Sequence, residues 1–269
     1  MVKGLYTGWT GMIEEQRRLD VMSNNLANSN TVGYKKEGTT NAAFAKQLAL
    51  RIRDSGDYGF AKGIGDIQQG DKIGETYTDW SQGSFHITDE KSNLAIGGDG
   101  YFAIAYTDKQ GNTSVKYTRD GEFTVDSDGY FRTGNGDYLL DMNGATSGQI
   151  SQANYVHVDP LQTYTVDELG NVWQNDQIVD TVGVVDVNNT DYLAKYGENL
   201  YDLVNGGTVT QGQNFHIEQG ALETSNVNVV DEMVSMITIQ RAYEAGQKVI
   251  QAEDETLDMA TSQVGRVSG

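Results

Sequence analysis

The feature that most constrains the fold is an apolar residue at every seventh position near the C-terminal end. The row comprises Met236, Tyr243, Ile250, Leu257 and Val264. A second row at helical spacing has smaller side chains, with Ala242, Ala245, Val249, Ala252 and Met259 as its members. At about 100° per residue the two rows lie side by side on one α-helix. The spacing predicts a long helix with a broad apolar stripe, which suits contact with neighbours on two sides.

The start of this helix is also visible in the sequence. Ser225 and Asn226 are residue types that cap helices, and Asp231 and Glu232 follow within about two turns. We therefore expect the helix to begin near Val227. Within the first row, the positions that complete a 3–4 spacing are polar: Gln240, Gln247, Asp254 and Thr261.

The N-terminal end has a similar row. Its apolar members are Leu5, Trp9, Met12, Leu19 and Leu26, with Gln16 and Ser23 in the two intervening positions. Row spacings of three and four are typical of a helix that packs lengthwise on another helix. The helix is expected to end in the segment 28–33, where asparagines and Gly33 tolerate left-handed backbone.

The middle of the chain has a different character. Residues 37–220 have 11 cationic and 27 acidic side chains, a net charge of 11 − 27 = −16, out of −19 for the whole chain. Asp120-Gly121, Ser127-Asp128-Gly129 and Gly134-Asn135-Gly136 separate short runs rich in β-branched and aromatic residues. Such pairs are typical of tight hairpins, so we predict an antiparallel sandwich or barrel-like domain near residues 90–190. Residues 44–52 are interpreted as a short helix, followed by a loop or hairpin.

The predicted fold class is α+β, with N- and C-terminal helices pairing as a coiled coil around a central antiparallel β-rich domain. The expected divisions are an N-terminal helix, an extended connecting region, the β-rich domain, a return connection and the C-terminal helix, at 1–36, 37–90, 91–190, 191–225 and 226–269. With one proline in 269 residues, long helices remain uninterrupted.

Composition excludes several classes of function. A pI near 4.3 is unsuited to binding duplex nucleic acid, because phosphate neutralisation needs clustered cations. The absence of cysteine excludes disulfides, cysteine nucleophiles and thiolate metal sites. No apolar run approaches the roughly 20 residues that span a bilayer. The first 18 residues lack the apolar core of a cleaved secretory signal, so we expect neither membrane insertion nor signal cleavage.

Motifs for enzyme chemistry are weak. His86, His157 and His216 have no metal-ligand spacing, and we interpret them as ordinary surface or strand residues. Asp126 and Asp128 resemble the start of a calcium loop, but Tyr130 and Phe131 occupy positions where a ligand and a glycine are required, so a hairpin turn is favoured. We therefore expect no catalytic, metal or cofactor site. Two alternatives stay open: a surface-binding β module on a helical stalk, and a carbohydrate-active enzyme using Asp126 and Asp128.

Three stretches resemble one known family. The first is 24–35, which includes Asn24, Asn25, Leu26, Ala27, Asn28, Thr31, Gly33, Tyr34 and Lys35. The second is 95–102 together with 117–123, and 197–201 resembles the same family. The third leads from 219 into the last helix and includes Ser225, Asn226, Val227, Gln240, Arg241, Tyr243 and Glu244. This order and spacing is similar to bacterial flagellar axial proteins, specifically the basal-body rod proteins.

The resemblance implies a structural role. Rod proteins pair their terminal helices in a coiled-coil layer lining a tube, with a β-rich domain outside, and polymerise helically into the drive shaft between motor and hook. The implied partners are copies of the chain, other rod and hook subunits, and the flagellar export apparatus, which exports the subunit without cleavage to the basal body in the cell envelope. The resemblance favours the distal rod type, with the proximal rod or hook type as the alternative. The apolar rows at both ends would then form the assembly interface.

Overall fold

The computed structural model describes residues 2–51, 62–67, 70–197, 199–204 and 206–264. The α-helices are α1 (Val2–Ala27), α2 (Met142–Ser147) and α3 (Val229–Val264). The strands up to the first long hairpin are β1 (Glu37–Ala43), β2 (Gln47–Arg51), β3 (Lys62–Ile67), β4 (Asp71–Thr78), β5 (Phe85–Ile87), β6 (Leu94–Gly98), β7 (Tyr101–Thr107) and β8 (Thr113–Thr118). The next are β9 (Phe123–Val125), β10 (Phe131–Thr133), β11 (Tyr138–Leu139), β12 (Thr165–Val166), β13 (Asn171–Gln174), β14 (Gln177–Thr181) and β15 (Val184–Val187). The last are β16 (Leu193–Tyr196), β17 (Leu200–Leu203), β18 (Val209–Gln211), β19 (Phe215–Gln219) and β20 (Ala221–Glu223).

The chain divides into two compact units. The helical unit contains α1, α3 and strands β1–β4. The β unit contains residues 28–36 and 80–227, and therefore α2 and strands β5–β20. The fold is α+β, as the sequence predicts.

In the helical unit, α1 and α3 pack against each other and α1 also contacts β1 and β4. Gly4 lies beside Glu253, Gly8 beside Ile250, and Met12 beside Gly246. Because positions along α1 rise while those along α3 fall, the two helices are antiparallel. Strands β1 and β4 form one antiparallel ladder, and β2 and β3 form another.

The β unit is built around a nine-stranded antiparallel sheet. Its main path runs β16-β17-β8-β7-β11-β10-β9, and β15 pairs with both β7 and β18. A three-stranded sheet, β12-β13-β14, and the pairs β6–β19 and β5–β20 complete the unit. Strand β7 is therefore the centre of the largest sheet.

Both faces of β7 are covered, which explains its continuous apolar sequence. Phe102 and Ile104 point into one hydrophobic cluster, which also contains Phe123. Tyr101 and Ala103 alternate with them and point into a second cluster. Because successive side chains of a strand point to opposite faces, a strand with two buried faces has no polar alternation to display.

The structure corrects the prediction for residues 44–52. Gln47–Arg51 form strand β2 and not a helix; their Gln-Leu-Ala-Leu-Arg sequence alternates with a period of two, and β3 provides an antiparallel partner. The remainder of that prediction, at residue 52, lies outside the described residues. The span 191–225, expected as a connection, contains the five strands β16–β20.

The cap of α3 also differs from expectation. The helix begins at Val229, and Asn228 Oδ1 accepts a hydrogen bond from Val230 N at 3.1 Å. Neither Ser225 nor Asn226 is the cap, because their side chains bond within the β unit: Ser225 Oγ accepts from Val227 N at 3.3 Å, and Asn226 Oδ1 accepts from Lys36 N at 2.8 Å. Across the described ranges, no helix is long and apolar enough to span a bilayer.

Candidate assembly surface and buried ion-pair cluster

Glycines bring α1 and α3 close together. A Cβ placed on Gly8 would lie 3.2 Å from Ile250 Cγ1, and one on Gly246 would lie 2.8 Å from Met12 Cγ. The same hypothetical atom on Gly246 would lie 3.8 Å from the carbonyl oxygen of Gly8. A glycine inside a helix costs about 1 kcal/mol relative to alanine. Here the absence of side chains at Gly8 and Gly246 allows the two helix backbones to approach each other, which accounts for glycine at these two positions.

The inner face of α3 points toward α1. Its members of the predicted seven-residue row, Met236, Tyr243, Ile250 and Leu257, are half-buried. The positions that complete this face are Ile239, Gly246 and Glu253, which are buried or half-buried, whereas Gln240, Gln247, Asp254 and Thr261 are exposed. Counted from Met236, the residues that face α1 therefore follow at intervals of three and then four positions. The sequence predicts intervals of four and then three. Val264 ends α3, and its side chain lies outside the described residues.

We call the opposite side of α3 the outer face. Its large apolar residues are Val230, Met233, Val234, Ile237, Val249 and Met259, each between 50% and 68% exposed. Ile237 and the buried Ile239 are two residues apart, so their side chains point about 200° away from each other. The predicted second row, Ala242, Ala245, Val249, Ala252 and Met259, is exposed along its length. One row therefore faces α1 while the other is exposed, with Ala242 and Val234 bordering a groove beside Glu15 and Arg18 of α1.

The predicted row of α1 is divided in the same way. Leu5, Met12, Leu19 and Leu26 are half-buried, whereas Trp9 is 52% exposed. Trp9 lies near Tyr6, with ring centroids 5.9 Å apart, and Tyr6 lies near Phe44 at 6.4 Å. These rings are on the side of α1 that meets the β-strands of the helical unit.

The last turn of α1 is held by Asn25, which is fully buried. Its Nδ2 donates to the Glu37 carbonyl oxygen at 2.8 Å, and its Oδ1 accepts from Glu37 N at 2.9 Å. Asn25 Nδ2 also lies 3.5 Å from Glu232 Oε2, and Glu232 is 1% exposed near the start of α3. One buried amide thus links the end of α1, the start of β1 and the start of α3.

The β unit contains a buried cluster of three charged side chains, which we call the ion-pair cluster. Glu223 Oε1 accepts from Lys35 Nζ at 2.6 Å, and Glu223 Oε2 accepts from Arg119 Nη1 at 3.2 Å. The side chains of Glu223, Lys35 and Arg119 are 0%, 1% and 6% exposed. Gly83 N donates to Glu223 Oε1 at 2.9 Å, and Lys35 Nζ also donates to the Ser81 carbonyl oxygen at 2.8 Å. One carboxylate therefore contacts two buried cations.

The backbone before Lys35 is fixed by Gly33. Its φ is +68°, and a Cβ there would lie 2.5 Å from the carbonyl carbon of Arg119. Gly33 N donates to the Glu223 carbonyl oxygen at 2.8 Å, so the chain passes directly beside the ion-pair cluster. Tyr34 is 1% exposed, and Lys195 Nζ lies 4.0 Å from its ring centre. Left-handed backbone and close approach both require glycine at this position.

The other residues of the resembling stretches have separate surroundings. Thr31 closes the turn after α1, because its N and Oγ1 donate to the carbonyl and side-chain oxygens of Asn28, each at 3.2 Å. Asn24 and Ala27 are exposed, Val227 is half-buried, and Gln240, Arg241 and Glu244 are exposed on α3. The structure thus brings Gly33, Tyr34 and Lys35 together in one cluster, while Gln240, Arg241 and Glu244 lie on an exposed helix surface.

Sequence reasoning missed Glu223, Arg119 and the helix glycines. Arg119 lies in the stretch 117–123 and Glu223 in 219–227, so both belong to segments that indicated the family. Their pairing required knowledge of the fold, since they are 104 positions apart. The signal for the glycines was their spacing at 4 and 8, which places both on one side of α1.

The residues of the alternative chemistry have structural surroundings. Asp126 N donates to the Tyr130 carbonyl oxygen and Gly129 N to that of Asp126, at 3.0 and 2.9 Å, which is a hairpin turn. Asp126 Oδ2 pairs with Arg132 Nη2 at 2.7 Å. His86, His157 and His216 are exposed on or beside strands. Within the described ranges, no group of three or more acidic or histidine side chains is arranged to hold a metal ion.

Three family models match three separate parts of the chain: the N-terminal segment, the middle and the C-terminal segment. A family model described as flagella basal body rod protein matches residues 5–35, and one for the C-terminal part of the flagellar basal body rod FlgEFG proteins matches 218–263. A model of the flagellar hook protein FlgE/F/G D1 domain matches residues 95–174. The flagellar basal-body rod protein FlgG of Bacillus subtilis is 35% identical over 268 residues, covering 96% of this chain and 97% of the relative. The chain belongs to the flagellar basal-body rod protein family.

Other relatives agree with this membership. The flagellar basal-body rod protein FlgF of Caulobacter vibrioides is 33% identical, and the alignment covers 99% of this chain and 98% of the relative. The flagellar hook-basal body complex protein FlhO of Bacillus subtilis is 30% identical, covering 99% and 100%. The rod family is structural, so this rod protein is a structural subunit of the basal body, and the hypothesis of a carbohydrate-active enzyme is wrong.

Proposed function

We propose that this rod subunit polymerises helically through the outer face of α3 into the drive shaft that transmits torque from motor to hook. In this proposal α1 and α3 pair as a coiled coil in the inner layer of a tube. The observation that supports it is the row of large apolar side chains that α3 leaves exposed on the side away from α1.

The energetics favour covering this face. Burial of apolar surface is worth about 25 cal/mol per Å², so a valine, isoleucine or methionine that is half exposed gains on the order of 1 kcal/mol when a neighbour covers it. Six such residues lie along α3. Four of them, Val230, Met233, Val234 and Ile237, lie within eight positions near the start of α3, and an exposed apolar cluster of this kind marks an interaction site.

The geometry of a polymer follows from the position of the face. The outer face of α3 is a different surface from the one that packs on α1. A second copy that covers the outer face of the first copy with another of its surfaces therefore keeps its own outer face free for a third copy. Contacts between different surfaces generate open helical assemblies when the rotation does not close a ring. The acidic middle of the chain would keep unassembled subunits apart in solution.

Two further aspects rest on the family. We place the subunit in the distal rod, with the proximal rod or hook as the alternative, because a long segment separates α1 from the β unit and forms strands β1–β4. We also propose that the flagellar export apparatus secretes the chain without cleavage, and that its neighbours are further copies and other rod and hook subunits. Electron microscopy of basal bodies from a strain lacking this protein would show where the rod ends.

The decisive experiment substitutes the outer face alone. Ile237→Asp places a charge in the centre of the face, and we expect it to abolish polymerisation of purified protein while the circular dichroism of the monomer is unchanged. Gln247→Asp is the matched control, because Gln247 is an exposed polar residue of the same helix that lies about 80° around the axis from Ile237, off the outer face. Pelleting and negative-stain microscopy measure the polymer. If the Ile237→Asp protein still formed rods, the outer face would not be the assembly surface.

A further inference from the structure

The helical unit contains a groove on the side of α1 that faces β4. Its apolar walls are Trp9 and Ile13 of α1, Phe44, which follows β1, and Ile73 of β4. Thr10 and Asp71 also line it. The cavity measures about 240 Å³, which holds one long side chain and no helix. Arg17 and Lys72 lie at its exposed rim.

A carboxyl group lies in this apolar groove. Glu14 lines it, the residue is 5% exposed, and its Oε1 is buried without a hydrogen-bond partner among the described residues. Burial raises the pKa of Glu14, the nearby carboxylates of Asp71 and Glu15 raise it further, and Arg18 opposes them. A buried carboxyl without a partner is destabilising, so the groove favours a guest that donates hydrogen bonds and has positive charge.

Residues 229–264 offer two cations, and both are on the outer face. Arg241 is four positions after Ile237, and Lys248 is seven positions after Arg241, so all three side chains lie along one side of α3. Both cations are exposed, and neither has a hydrogen bond or an ion pair with any residue that the structure describes. The outer face thus has two exposed cations among its apolar residues, and the exposed carboxylates Glu244 and Glu255 lie on the same side of the helix.

We infer that the groove on α1 receives the Arg241 side chain of a second copy of this chain, with Glu14 as the partner of the guanidinium group. Arginine suits the groove better than lysine does. Its planar guanidinium stacks on an indole such as Trp9, and its N–H groups match a carboxylate in two parallel hydrogen bonds. Docking also brings Ile237 and Ala245, one turn away from Arg241 on either side, to the rim of the groove, where Arg17 and Lys72 lie.

This inference rests on the proposed polymerisation, and it makes the contact directional. Arg241 and Glu14 are on different helices and different faces, so a copy that donates its arginine still has an empty groove. Each docking event therefore leaves one donor and one acceptor free, as an open polymer requires.

Charge exchange provides the test. Glu14→Arg alone and Arg241→Glu alone each place like charges together, and we expect each to raise the critical concentration for polymerisation at least tenfold. An equimolar mixture of the two proteins can restore opposite charges at every contact when the two variants alternate. Each native Arg241 then meets a native Glu14, and the two introduced side chains, of opposite charge, meet each other. Polymerisation of the mixture near the wild-type concentration is the expected result. Lys109→Glu makes the same change in net charge as Arg241→Glu, in an exposed loop of the β unit, and serves as the control.

A second measurement covers the case in which Glu14→Arg disturbs folding. Because the chain has no cysteine, Lys72→Cys in one batch and Ala245→Cys in another allow a disulfide only between the engineered positions of different copies. Polymers formed from the mixture should cross-link across this pair. Polymers without this cross-link, or single-charge variants that assemble normally, would overturn the groove contact while leaving the outer face intact. Failure of the wild-type protein to polymerise at all would instead contradict the proposed function.

Discussion

The ion-pair cluster makes a quantitative prediction for Glu223→Gln. The substitution retains an oxygen that can accept from Gly83 N and Lys35 Nζ, and it changes volume very little. It removes the negative charge that both Lys35 Nζ and Arg119 Nη1 contact, while the two cations stay buried at 1% and 6% exposure. Breaking a buried ion pair by removing one partner costs about 3–5 kcal/mol. We expect the β unit to lose stability in this range.

The assay must report the β unit alone. Of the three tryptophans, Trp9 is in the helical unit, whereas Trp80 and Trp173 are in the β unit. Urea unfolding followed by tryptophan fluorescence in a Trp9→Phe background therefore isolates the relevant transition. With a slope of roughly 2 kcal/mol per molar urea, the midpoint should fall by about 1.5–2.5 M.

A matched control separates charge from context. Glu218→Gln removes an exposed carboxylate from β19, close in sequence to Glu223, and should shift the midpoint by less than about 0.5 M. A loss below about 1 kcal/mol for Glu223→Gln would show that water or another group compensates the two cations. The reasoning from burial would then be refuted.

Two other predictions concern the helix contact and a buried acid. Gly246→Val should destabilise the helical unit by about 1–3 kcal/mol, because a Cβ there would lie 2.8 Å from Met12 Cγ. Gly11→Ala is the control: its added Cβ meets no atom within 4 Å, so the substitution should be neutral or stabilising. Thermal melts followed by circular dichroism at 222 nm measure both variants. Burial raises the pKa of Asp120 from 3.8 to about 6. Since the unfolded state ionises first, the β unit should lose on the order of 2–3 kcal/mol as the pH rises from about 4 to about 6, and Asp120→Asn should remove this step in urea titrations at successive pH values.

The sequence predicts the helices well because their signals are local. Repeats at three and four positions locate α1 and α3 within a few residues. Asp128-Gly129 and Asn135-Gly136 join strands that pair as hairpins. The hairpin expected at Asp120-Gly121 is wrong, because β8 pairs with β7 and β17 whereas β9 pairs with β10. The polar partners that the sequence predicts for the seven-residue row, Gln240 and Gln247, lie one position beyond the residues that face α1. Periodicity alone does not distinguish Ile239 from Gln240 as the neighbour of α1, because both lie within about one helical turn of Met236.

The parts that could not be predicted depend on distant residues. Strands β16–β20 are short, and several find their partners far away in the chain, as β19 does with β6. Gln47–Arg51 is compatible with either helix or strand, and β3 determines the outcome. The ion-pair cluster joins Lys35, Arg119 and Glu223, which no spacing rule relates. All three residues lie in the stretches that resemble the family. The sequence therefore indicated that these stretches matter, but not that the three side chains form an ion pair.

The packing of α1 and α3 suggests why the exposed face and the groove belong to one mechanism. Among the side chains described in these two helices, Ile239 is the one large apolar residue that is almost fully buried, and glycines occupy much of the closest contact. Ordering a residue costs roughly 1–2 kcal/mol of backbone entropy, and apolar side chains that are only half-buried between the two helices recover part of that cost. Much of the apolar surface of the 36-residue α3 lies on the other side. The stability of the helix pair should therefore increase on assembly, so that amide hydrogen exchange in α3 slows sharply in the polymer while exchange in β7 changes little.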